Sequence, residues 1–73
     1  MLRPVHVIEA LKLVSVTRKD SEAYPALAET AKAKLDQWEA EAPQRKAANP
    51  RYFSKDEASA TELFKPWRRE AGI

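Results

Sequence analysis

The sequence predicts a mainly α, compact single domain of three helices over residues 1–73, and three observations predict it. Apolar residues recur at spacings of three and four from Leu27 to Ala42, which is the pattern of one buried helical face. Ser54-Lys55-Asp56-Glu57 matches the S-x-x-E box with which helices open. Five prolines and a single glycine punctuate the chain around these runs. At 73 residues the chain holds one domain at most, with a modest core.

The first element is expected as a helix from about Val5 to Val14. Helical spacing gathers Val7, Ile8, Ala10, Leu11 and Val14 on one face and His6, Glu9 and Lys12 on the other. Pro4 suits the first turn, where its missing N–H costs nothing. A strand remains open here, because Val5, Val7, Ile8, Val14, Val16 and Thr17 are β-branched and Val14-Ser15-Val16-Thr17 alternates. Strict alternation would place Glu9 among the apolar positions, so a helix with an extended exit is preferred.

The polar run Thr17 to Glu22 connects to a second helix over 25–42, with Pro25 at its first position and Pro43 as its terminator. Leu27, Ala28, Ala31, Leu35, Trp38 and Ala42 form its apolar face, and Trp38 is expected in the core. A linker bounded by Pro43 and Pro50 follows. The third helix is expected over 55–65, with Ser54 as cap, Glu57 reaching back, and Phe53 stapled to Ala58. Pro66 should stop it, leaving 66–73 as a tail. The second and third helices should pack through Leu27, Ala31, Leu35, Trp38, Leu63 and Phe64, with the first segment covering them.

Composition narrows the function classes. There is no cysteine for a disulfide or thiolate metal site, and the only histidine is His6. No serine sits in a nucleophile motif, and Gly72 alone cannot build a phosphate loop. An enzyme is therefore not expected, and neither a cofactor nor a metal is. No apolar run reaches membrane-spanning length, and the first residues lack a signal-peptide layout, so a cytoplasmic monomer is expected.

Charge and aromatics point instead to a macromolecular partner. The net charge is +2, but residues 1–44 carry six Lys/Arg against seven Asp/Glu and residues 45–73 carry seven against four. Tyr52, Phe53, Phe64 and Trp67 are interleaved with Arg45, Lys46, Arg51, Lys55, Lys65, Arg68 and Arg69. Trp and Arg dominate binding hot spots because a flat ring and a planar cation bury much surface at small entropic cost. Trp67 either packs back on the core or anchors a partner, with Arg68 and Arg69 pairing acidic groups around it. Asp36, Glu39 and Glu41 oppose the dipole at the end of the second helix, and Arg45 and Lys46 are expected to fold back and offset them.

Two resemblances follow from particular residues. Tyr52-Phe53-Ser54-Lys55-Asp56-Glu57-Ala58 through Trp67-Arg68-Arg69-Glu70-Ala71-Gly72-Ile73 resembles the opening of excisionase-type helix-turn-helix domains, which would bring Arg68 and Arg69 to DNA. Only nine residues separate Glu57 from Trp67, too few for a turn and a recognition helix. Taken whole, the chain is more similar to the small bacteriophage-encoded regulators of bacterial RNA polymerase. The likeness lies in its size, its apolar start Leu2-Arg3-Pro4-Val5-His6-Val7-Ile8, and its basic aromatic carboxy-terminal part. It implies a protein that docks on host polymerase, near the RNA exit channel, inhibiting initiation and promoting terminator readthrough. Two surfaces are nominated for that contact. One is the edge Pro4, Val5, His6 and Ile8; the other is Arg45, Lys46, Arg51, Trp67, Arg68 and Arg69, which could also meet nucleic acid.

Overall fold

The computed structural model describes all 73 residues and contains four helices: α1 (Pro4–Val16), α2 (Tyr24–Ala40), α3 (Ala42–Ala48) and α4 (Phe53–Ala71). The mainly helical expectation holds, while the helix count, several boundaries and the packing order differ from it.

The first segment is helical throughout, so its strand reading is corrected. Val7, Leu11 and Val14 are essentially sealed from solvent, at spacings of four and three. Burying three branched side chains between two other helices outweighs the few tenths of a kcal/mol by which β-branching disfavours a helix. The Arg3 N–H, left over at the amino terminus, donates to His6 Nδ1 at 3.2 Å. At the other end the Ser15 hydroxyl donates to the Lys12 carbonyl at 2.8 Å, and the backbone becomes extended at Thr17.

Pro43 does not simply end the second helix. α2 stops at Ala40, the chain turns at Glu41, and Pro43 occupies the first turn of α3, where it sacrifices no hydrogen bond. The expected linker is therefore largely helical, and it ends at Asn49 before Pro50.

Pro66 does not stop the last helix either. α4 runs on through it to Ala71, keeping Phe64, Trp67 and Ala71 on the face turned toward α1. An interior proline costs about 3 kcal/mol, and continued burial of these residues offsets it. The true stop is Gly72, in the left-handed region at φ 72° and ψ 29°. The Ile73 N–H donates to the Arg68 carbonyl at 3.0 Å and the Gly72 N–H to the Arg69 carbonyl at 3.2 Å, closing a Schellman end. The start of α4 also departs from expectation. Tyr52 precedes the helix, Ser54 makes no capping bond, and Glu57 turns to Arg45 instead. Phe53 is the first helical residue and Ala58 is exposed, so no staple forms.

The central element is α1, not a cover. α2 runs antiparallel to it and α4 parallel, and both pack along its length while their backbones scarcely meet. The bridge between them is made by side chains, chiefly Trp38 and Phe64, whose rings meet edge to face with centroids 5.5 Å apart. Leu35 and Trp38 are buried as expected, whereas Leu63 is 54 % exposed. The result is a flat, elongated body of 44 × 19 × 14 Å around one apolar cluster.

Candidate binding surfaces

Arg45 is the most constrained of the nominated residues. It leaves α3 and lays its guanidinium over the Trp38 ring, 3.6 Å from the centroid. Its Nε donates to Glu57 Oε1 at 2.6 Å, Nη2 to Glu57 Oε2 at 3.2 Å, and Nη1 to the Trp38 carbonyl at 2.6 Å. A two-pronged carboxylate pairing of this kind needs the planar fork that Arg has and Lys lacks. One side chain thus joins α2, α3 and α4, and it satisfies an orphan carbonyl near the end of α2. Arg45 does fold back on the end of α2, but its carboxylate partner is Glu57 of α4 and not the expected Asp36, Glu39 or Glu41, while Lys46 stays exposed and outside any ion pair.

Glu41 closes the same corner. Its Oε1 accepts the Leu2 N–H at 2.7 Å and its Oε2 accepts from Gln37 Nε2 at 3.3 Å. The Leu2 hydrogen bond, followed by Gln37 and by the charges of the amino terminus and Arg45, holds this carboxyl below the usual carboxylate range. Desolvation, second in size only to the Leu2 bond, works the other way without reversing the direction.

The remaining cations stand at opposite ends of α4. Lys46 and Arg51 are exposed near its start, and the Arg51 guanidinium lies 5.3 Å from the Tyr52 ring centroid. Lys65, Arg68 and Arg69 are exposed near its end. Arg68 Nε donates to the terminal Ile73 carbonyl at 3.2 Å, Lys65 pairs with Glu62 at 2.9 Å, and Arg69 has no acidic partner. Seventeen positions at about 1.5 Å each put Arg51 and Arg68 roughly 25 Å apart, so the sequence-nominated cations do not form one patch. Trp67 is half-buried against the core, the packing role expected of it, with Lys12 Nζ 4.7 Å from its ring centroid.

Between α2, α3 and α4, on the side away from α1, lies a groove of about 490 Å³. Leu35, Trp38 and Phe64 line it, and Glu39, Lys65 and Arg68 stand at its rim. At the amino-terminal edge Pro4 is half-buried, Val5 is 48 % exposed and Ile8 packs on the core. His6 is exposed, its Nδ1 taken by Arg3.

Two residues escaped sequence reasoning. Leu13 and Val16 are 53 % and 78 % exposed, and with Val5 they make an apolar stripe on the outer side of α1. Ending the helix at Val14 hid it, because Val16 joins the stripe only when the turn continues. No three His, Cys, Asp or Glu side chains converge on a point, and no helix is long and apolar enough to cross a membrane. Comparison with protein-family models, curated proteins and solved structures finds no match to this chain.

Proposed function

We propose that this chain is a non-catalytic binding protein that docks on the RNA polymerase of a host bacterium, in its cytoplasm, and modulates transcription by inhibiting initiation, promoting antitermination, or both. The choice of polymerase rests on the resemblance to small bacteriophage-encoded regulators. The observation that carries the binding reading is the end of α4. There Trp67 is half-buried on a helix that continues through Pro66, and exposed Arg68 and Arg69 flank it without carboxylate partners. An aromatic and two cations held on a rigid element are pre-organised, so little ordering entropy is lost when they meet an acidic surface.

The excisionase-like alternative has no comparable support. Trp67, Arg68 and Arg69 belong to the same unbroken helix as Glu57, with no turn and recognition helix between them.

The test is affinity capture from a bacterial lysate treated with nuclease, followed by transcription in vitro from a promoter and across a terminator. Polymerase subunits on the bait, with reduced initiation or increased readthrough, would support the proposal. Recovery of nucleic acid alone, lost on nuclease treatment, would end it. A duplex preferred over excess nonspecific competitor would revive DNA recognition in its place.

A further inference from the structure

The outer side of α1 holds an apolar stripe that the fold itself does not use. Val5, Leu13 and Val16 face solvent, while Val7, Leu11 and Val14 are enclosed on the opposite side. A helix apolar on both sides is ordinarily covered on both. Two exposed charges interrupt the stripe, Glu9 and Lys12, and neither belongs to an ion pair within the chain.

The arrangement of these residues is self-complementary. Val5, Glu9, Lys12 and Val16 are spaced by four, three and four, which is the spacing of a straight seam between paired helices. In two antiparallel helices related by a twofold axis, residues face one another wherever their numbers share a constant sum. With the axis between Ala10 and Leu11, Val5 of one copy faces Val16 of the other, and Glu9 faces Lys12. Each pair occurs twice, apolar at the ends and opposite in charge at the middle. Leu13, flanking the seam on the α2 side, lies near its own counterpart close to the axis. A partner of unrelated sequence has no reason to match this order, whereas a second copy matches it automatically.

We propose that the outer side of α1 is a self-association surface, closed by a second copy of this chain lying antiparallel across it. The chain is then a monomer only when dilute. A helix of 13 residues is about 20 Å long, so the shared patch is at the small end of specific interfaces and the dimer is weak. Lys12 exchanges its exposed contact with Trp67 for one with Glu9 of the second copy. Val5 serves both this surface and the amino-terminal edge, so a host protein bound at that edge draws on the monomer.

The test is sedimentation equilibrium of the full chain over a rising concentration series, with Glu9→Lys and Lys12→Glu alone and mixed. Each variant alone places like charges opposite one another and should weaken the dimer at least about tenfold. Both positions are exposed, so the helical circular dichroism should match that of the parent chain, with Lys12→Glu losing only its exposed contact to Trp67. An equimolar mixture should form a heterodimer at least as tight as the parent dimer, since every facing pair is again opposite in charge. A parent chain still monomeric at about 1 mM would overturn the proposal. So would self-association indifferent to both variants, or a mixture that fails to associate. Protection of this side from hydrogen exchange only in the presence of polymerase would assign it to the foreign partner instead.

Discussion

At the residue scale, Arg45 shows how a cation nominated for a partner becomes part of the fold. Its sequence neighbours suggest a free basic linker, yet the side chain is only 13 % exposed and its guanidinium holds Glu57, Trp38 and three helices together. Arg45→Ala leaves the Glu57 carboxylate without its partner and uncovers the Trp38 ring. It should destabilise the domain by about 2 kcal/mol, because hydrogen bonds to charged groups are the strong ones. Arg45→Lys should recover little of that, since an ammonium cannot span both oxygens and the carbonyl together. Urea denaturation of the two variants decides it, and full stability in Arg45→Ala would mean the clasp contributes nothing. Ser54 is the converse case. Its motif promises a cap, but the hydroxyl makes no capping bond, so Ser54→Ala should change stability by less than about 0.5 kcal/mol. Glu41 adds a pH signature. Its carboxyl is held below the ordinary range in the folded state, so its contribution is present above the unfolded pKa and lost as pH falls through the folded one. Glu41→Gln should flatten that part of the acid limb of a stability–pH curve, and parallel curves for the two proteins would contradict the assignment.

At the scale of elements, the legible and illegible parts of the fold divide by what each signal depends on. Trp38, Leu35 and Ala31 could be placed in the core because helical periodicity is a local property of α2, and the same argument found the inner side of α1. Boundaries set by proline were harder to place. A proline is tolerated in a first turn and forbidden in an interior only to the extent that tertiary burial does not compensate, and sequence does not show that burial. Pro43 opens α3 and Pro66 sits inside α4 for this reason. Gly72 was the better stop signal, being the only glycine and the residue that reaches positive φ without strain. The two residues make opposite predictions. Pro66→Ala restores the missing donor and should stabilise the domain by about 1–3 kcal/mol. Gly72→Ala meets no neighbouring atom but forces a methyl into the left-handed region, costing about 1 kcal/mol. Thermal melts of both variants test the helix end, and a destabilised Pro66→Ala would show that the proline itself holds α4 in place. The candidate site was only partly legible, because Arg45, Trp67 and Arg68 look alike in sequence and are separated by which of them the packing consumes.

At the scale of the whole molecule, 44 Å of length and only 14 Å of depth leave most side chains near a surface, so binding energy must concentrate in few of them. The cations nominated together are divided by the helix they flank, with Lys46 and Arg51 at one end of α4 and Arg68 and Arg69 at the other. Screening over about 8 Å at physiological salt makes these ends electrostatically separate. A partner that meets only the Trp67 end should therefore ignore the far pair. If polymerase is the partner, as proposed, Arg68→Gln with Arg69→Gln should slow association with it about tenfold and reduce the salt dependence of that rate, with a smaller effect on dissociation. Lys46→Gln with Arg51→Gln should leave both rates within about twofold, because exposed cations beyond the screening length neither steer nor anchor. Trp67→Ala should act mainly on dissociation, since a half-buried ring contributes contact area and not long-range attraction. Surface-plasmon measurements at two salt concentrations separate the three. Equal slowing by the two double variants would mean the partner spans the whole of α4, and the basic residues would then act as one surface despite their separation.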